Sequence, residues 1–252
     1  MARFKVGVQL RPQHCEMAQL RAAWKEADAL GVDTIWNWDH FYPLFGDPDG
    51  THFECWTVLG AMAADTSHAK FGALVTCNTY RNPELLADMA RTVDQISGGR
   101  AILGVGSGWF QRDYTEYGYE FGTAPERLRA LRDSLPRIKA RLAKLNPSGA
   151  DVPIMVGGGG EKVTLRLVAE YADLWNTFGP PENFKHKNAV LTEWCEKIGR
   201  DPAQIDRTVM IGTDEVDSVE RYLEAGATHI ILGSDAPFDL KPLARLLEHA
   251  RS

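Results

Sequence analysis

Glu26–Trp36, read as EADALGVDTIW, runs from an amphipathic helix end through Gly31 into a short apolar strand. The same order returns at Val168–Trp175 (VAEYADLW) and at Tyr222–Leu232 (YLEAGATHIIL). A glycine just past the last helical turn is a common C-terminal stop. A strand directly after it is the αβ half of a βαβ unit. Outward from these anchors, the pattern predicts strands over Phe4–Leu10, Thr34–Asp39, Phe71–Cys77, Ala101–Val105, Pro153–Val156, Leu174–Phe178, Thr208–Gly212 and Ile230–Leu232. Helices are predicted over Met17–Leu30, Phe53–Asp65, Pro83–Ile96, Pro125–Leu145, Lys162–Tyr171, Glu182–Ile198, Val216–Ala225 and Leu240–Ala250. Strands alternating with helices imply a parallel sheet with both faces covered. Eight right-handed crossovers close into a (β/α)8 barrel, with a doubly wound open sheet as the competitor.

Length and composition fit that reading. The chain has 252 residues, near the ~250 typical of such a barrel. No linker or composition break divides it, so one domain over residues 1–252 is expected. Apolar residues make up 44% and charged residues 25%, ordinary for a globular protein. The net charge is −6 and the basic residues are scattered, which argues against a nucleic-acid partner. No apolar run reaches membrane-span length, and the opening MARFKVGVQL lacks a signal-peptide pattern. Cys15, Cys55, Cys77 and Cys195 show no metal-ligand spacing. A cytoplasmic chain with reduced thiols is the expectation.

In such a barrel, ligands bind at the C-terminal ends of the strands. Asp39 and His40 end the second strand there, and an imidazole can exchange a proton near neutral pH. His14 and His52 lie in neighbouring loops, but the later strand ends supply no histidine, so no catalytic metal is expected. Gly106, Ser107 and Gly108 follow the fourth strand in GVGSGWFQRDY, a stretch that does not match a dinucleotide fingerprint. Trp109 and Phe110 beside them are candidate cavity lining. After the fifth strand comes VPIMVGGGGEK, Val152–Lys162, with Gly157, Gly158, Gly159 and Gly160 in a row. Consecutive glycines let backbone N–H groups converge at a helix start, and that reads as a phosphate site assisted by Lys162 and Thr164.

Together, Trp38-Asp39-His40, FGALVTCNTYRNP, LGVGSGWFQRDYTEYG and PIMVGGGGEKVTLRLVAEYADLWN resemble the luciferase-like flavin and deazaflavin oxidoreductases, of the actinobacterial type dependent on coenzyme F420. The resemblance covers nearly the whole chain and implies a luciferase-like TIM barrel with hydride chemistry. By that resemblance, Leu74–Val75 is a non-proline cis bulge behind the cofactor ring, with Asp39 and Thr76 beside it. Gly106, Ser107 and Gly108 line the ring and ribityl chain, Arg112 meets the cofactor tail, and Gly157–Gly160 hold the phosphate. His40 assists proton transfer. FMN, in a monooxygenase of the same fold, is the alternative cofactor, and a deazaflavin-binding protein without turnover is the alternative to an enzyme.

Two departures bear on the substrate. Trp109 stands where sugar-phosphate dehydrogenases of the family carry an acid, which favours an apolar substrate. The segment between Leu135 and Pro153 is short, which implies an open pocket. His14, Asn37, Phe41, Asn78, Trp109, Phe110, Trp175 and Phe178 are the candidate substrate-pocket residues. A homodimer is possible, with Trp24, Met62 and Trp194 as interface candidates.

Overall fold

The computed structural model describes residues 2–252. Its strands are β1 (Lys5–Leu10), β2 (Thr34–Asn37), β3 (Lys70–Ala73), β4 (Thr76–Cys77), β5 (Ala101–Gly106), β6 (Ile154–Gly157), β7 (Leu174–Phe178), β8 (Asp206–Ile211) and β9 (His229–Ser234). All pairings between them are parallel, in the order β3-β2-β1-β9-β8-β7-β6-β5-β4, and β3 also pairs with β5. That last contact closes the barrel. The predicted third strand is split into β3 and β4 around Leu74-Val75, so nine segments form eight staves.

Helices α1 (Met17–Leu30), α2 (Cys55–Asp65), α3 (Pro83–Ser97), α4 (Gln111–Glu116), α5 (Ala124–Lys144), α6 (Thr164–Tyr171), α7 (Pro181–Ile198), α8 (Val219–Glu224) and α9 (Lys241–Arg251) lie between or after the staves. Their ends follow local chemistry. Gly31 takes a left-handed C-cap with φ +82°, and Asn82 caps the N–H groups of Glu84 and Leu85 ahead of Pro83. Several segments differ from expectation; the second helix, for one, begins at Cys55 rather than Phe53. The sixth helix begins at Thr164 rather than Lys162. The Val216–Ala225 segment is a 3-10 turn over Thr213–Ser218 followed by α8, and α4 is an unanticipated short helix. Among the described residues, no helix is long and apolar enough to cross a membrane.

Side chains alternate in and out along each stave, because a strand has a two-residue period. Val6, Val8 and Leu10 of β1, like Ile35, Leu103, Val156 and Trp175 of later staves, face the helices in one large core. Trp36, Ile102, Met155, Leu174 and Ile231 fill the barrel interior as a separate cluster with Leu74. Trp24 and Met62 are fully buried in the outer core, which removes both as interface candidates. Trp194 is half-buried, packs against that core and donates its indole N–H to the Glu161 carbonyl at 2.8 Å.

His229 closes the interior near the N-terminal ends. It is fully buried, its Nε2 shares a 2.9 Å hydrogen bond with Thr34 Oγ1, and its Nδ1 has no partner among the described residues. Gly7 opposite must be glycine, since a Cβ there would meet Thr34 Oγ1 at 2.2 Å. Burial pushes His229 down to about 3 from 6.5. Below pH 6.5 the unfolded chain takes up a proton that folded His229 refuses, so stability falls as pH falls. Urea unfolding should show the wild-type protein losing roughly 2 kcal/mol between about pH 6.5 and 5 through this group. The His229→Gln variant should lack that increment, and parallel pH dependence of the two proteins would refute the assignment.

Candidate active site

A cavity of about 360 Å3 opens at the C-terminal ends of the staves. The alternation decides what reaches it. Gln9 of β1 and Asn176 and Phe178 of β7 point inward and line it. So do Trp38, Asp39 and His40 after β2, and Gly106 through Trp109 at the end of β5. Leu74, Val75, Thr76 and Cys77 supply the wall at the break between β3 and β4.

The Leu74–Val75 peptide is cis, as the family resemblance implies. Gln9 Nε2 donates to the Leu74 carbonyl at 2.9 Å and pins the bulge from β1. Val75 leans across two staves. A Cβ on Gly106 would lie 2.7 Å from Val75 Cγ2, and one on Gly157 would lie 2.9 Å from Cγ1. Part of the demand for glycine at these two positions therefore comes from Val75 itself. Gln9 Oε1 and Thr76 Oγ1 are buried in the wall without a hydrogen-bond partner among the described residues. Such orphans are costly unless something satisfies them.

The four-glycine run begins at the end of β6. Gly158 has φ +122° and donates its N–H to the Asn176 carbonyl at 2.9 Å, tying the turn to β7. From Gly159 to Val163, the backbone N–H groups donate no hydrogen bond among the described residues. Thr164 is buried under Gly160 and starts α6. Gly157 and Gly158 line the cavity, so the run of free donors continues from its edge. That is the local chemistry of an anion site.

Two buried carboxylates sit under the second stave end, in different surroundings. Asp39 is bound by Arg81, with Nη1 at 2.5 Å from Oδ2 and Nη2 at 3.0 Å from Oδ1, and by the Cys77 N–H at 3.0 Å. Burial pushes the Asp39 carboxyl above its ordinary value, and Arg81 and the Cys77 N–H pull it back. Asp113, from α4, has neutral donors: Tyr80 O–H at 2.9 Å and Phe41 N–H at 3.0 Å. His40 Nδ1 lies 2.7 Å from its Oδ2. The His40 ring is boxed edge-on by Trp38, Trp109 and Phe110, with centroids 5.6–5.8 Å away.

Several expected site residues lie elsewhere. Asn37 and Trp175 occupy the outward phase of their strands. Asn37 bonds the Cys55 carbonyl at 3.0 Å, and Trp175 bonds the Gly158 carbonyl at 2.9 Å while stacking on Phe184. The alternation, applied to TIWNWD and LWNTF, would have excluded both. Arg112 turns away from the cavity to the Pro48 carbonyl and the Asp49 carboxylate, over the Tyr42 ring. His14 binds the Phe45 carbonyl at 2.7 Å and braces that loop. Phe41 stacks on Tyr117, Phe110 packs behind His40, and buried Asn78 lies outside the lining. Gln9 and Arg11 in the cavity lining, and Arg81 and Asp113 behind it, lie outside the sequence expectations. Arg81 and Asp113 stood inside quoted motifs, but only folding sets them against residues of the second stave.

Removing Arg81 should expose the cost of burying Asp39. Arg81→Met should lower stability by roughly 3–5 kcal/mol, because it strands a buried carboxylate. Chemical denaturation near neutral pH measures this, and a loss under 1 kcal/mol would show that the pair is not carrying that burden.

The comparisons agree with this architecture. Residues 1–225 match the model of the luciferase-like monooxygenase family. The 5,10-methylenetetrahydromethanopterin reductase of Methanolobus tindarius is 30% identical over 72% of this chain and 57% of its own length. The F420-dependent glucose-6-phosphate dehydrogenase of Kineococcus radiotolerans is 30% identical over 74% of this chain and 60% of its own. The chain thus spans less than two thirds of the length of these two curated relatives. A solved F420-dependent secondary alcohol dehydrogenase, in complex with an F420-acetone adduct, superposes with TM-score 0.85 at 18% identity, over 98% of each chain. A barrel with this bulge, this glycine run and these matches belongs to the luciferase-like monooxygenase family.

Proposed function

We propose that this chain is an oxidoreductase that uses coenzyme F420 on an organic substrate with a largely apolar body, and that His40 moves the balancing proton. The observation that carries the reading is a meeting of parts at one barrel mouth. Free backbone donors from Gly159 to Val163 adjoin a cavity lined by Gln9 and Thr76, whose Oε1 and Oγ1 are unpartnered among the described residues, and by His40. These features fit a ligand with a phosphate at one end and a polar-edged ring at the other.

When bound, the coenzyme supplies hydride transfer between its deazaflavin ring and a substrate carbon. The chain's residues do the rest. Gly157–Gly160 and the N–H groups beyond them hold the phosphate. Val75 and Leu74 back the ring, and Gln9 and Thr76 offer it hydrogen-bonding atoms. His40 gives or takes the proton at its free ring nitrogen. Trp109, Phe178 and Phe45 are 62%, 60% and 58% exposed, and all three rim this cavity. Exposed apolar rings around a pocket mark an apolar ligand. The four buried, free cysteines suit a reducing cytoplasm.

Fluorescence titration with coenzyme F420 and, separately, with FMN tests the reading. F420 should bind and FMN should bind far more weakly. Gly159→Asp, which places a carboxylate among the donors, should weaken F420 at least about tenfold. Tight binding of FMN alone would move the chain to the monooxygenase branch, and binding of neither would refute the cradle.

A further inference from the structure

We propose that Asp113 is a positioning residue that holds His40 in the tautomer with Nδ1 protonated, which leaves Nε2 as the nitrogen that exchanges a proton with substrate. This rests on the reading of His40 as the proton-transfer group. The inference follows from counting donors. Asp113 is fully buried, and its two oxygens meet three partners: Phe41 N–H on Oδ1, and Tyr80 O–H and His40 Nδ1 on Oδ2. A backbone N–H can only donate. Burial and the neighbouring Cys77 and Asp113 push the Tyr80 phenol up, so it keeps its proton to donate. A proton shared between Oδ2 and His40 Nδ1 sits on the ring, because an imidazole is ordinarily a stronger base than a carboxylate. The carboxylate this leaves suits both donors, and it can only accept. The remaining partner, His40 Nδ1, must then be the third donor.

The surrounding groups do not compete for His40. His52, from the loop before α2, is pushed down to about 4, chiefly by burial, and its Nε2 accepts the Trp38 indole N–H at 2.8 Å. Asp39, next in the chain, is occupied by Arg81 and the Cys77 N–H. The other close neighbours of the imidazole are the edges of Trp38, Trp109 and Phe110. In a neutral imidazole one nitrogen donates and the other accepts, and the partner of the first selects the role of the second.

Nitrogen-15 NMR of labelled histidine reads the tautomer directly and needs neither substrate nor coenzyme. The His40 signals are identified by their loss in His40→Gln. Neutral wild-type His40 should show protonated Nδ1 and bare Nε2. Asp113→Asn should lose that single state, because its amide can also donate to Nδ1, and Asp113→Glu should restore it. Tyr80→Phe keeps the carboxylate and should keep the tautomer. A wild-type His40 protonated at Nε2 would overturn the proposal, and so would an unchanged tautomer in Asp113→Asn. The wild-type spectrum decides even if a variant fails to fold. F420 titration of the same samples separates the two readings. Absence of F420 binding by the wild type would sink the coenzyme assignment and leave the tautomer result standing.

Discussion

The closed parallel ladder sets a two-residue phase on every stave, and that phase governs the rest of the molecule. One phase must bury itself under helices, and the other must fill a narrow interior or, at the open end, face a cavity. Trp36 and Trp38 share the inward phase, so Asn37 between them is turned to α2. Leu174, Asn176 and Phe178 do the same to Trp175. A side chain near a strand end therefore joins the site or the core according to parity, not to its chemical appeal.

The break in the third stave is where the barrel departs from regular geometry, and its neighbours accommodate it. Val75 projects over β5 and β6, and glycines at 106 and 157 give it room. Gln9 reaches across from β1 to hold the Leu74 carbonyl. These contacts join opposite sides of the barrel through one dipeptide. The glycines there serve packing, because a Cβ at either position would meet the Val75 side chain.

The two buried carboxylates show how surroundings assign different work to one functional group. Asp39 is matched by a guanidinium and a backbone N–H, an arrangement that neutralises charge and fixes the end of β2 to the turn after β4. Asp113 has no cation of fixed charge against it and is satisfied by a phenol, an amide and an imidazole. Neither partnership is between residues near in sequence: Arg81 is 42 residues from Asp39, and Asp113 is 73 from His40.

The chain order of helices and strands was written locally, in glycine stops such as Gly31, in Pro83 and in apolar runs, so the barrel could be read before folding was considered. The places of the glycine run and His40 at strand ends beside the cavity were legible for the same reason, since a strand end followed by unusual residues is a local signal. Arg81, Asp113 and Gln9 gave no such signal. An arginine or aspartate in a loop looks the same whether it meets water or a buried partner, and only closure of the barrel distinguishes them. Arg112 shows the converse, a charged residue beside the site that folding turns toward Pro48 and Asp49. By itself the sequence determined most of the elements, their order and the end of the barrel that opens into the cavity, because propensity and periodicity act over a few residues. The tertiary structure alone decided which polar groups pair, because desolvation and hydrogen-bond geometry depend on what the fold brings within three ångströms or so.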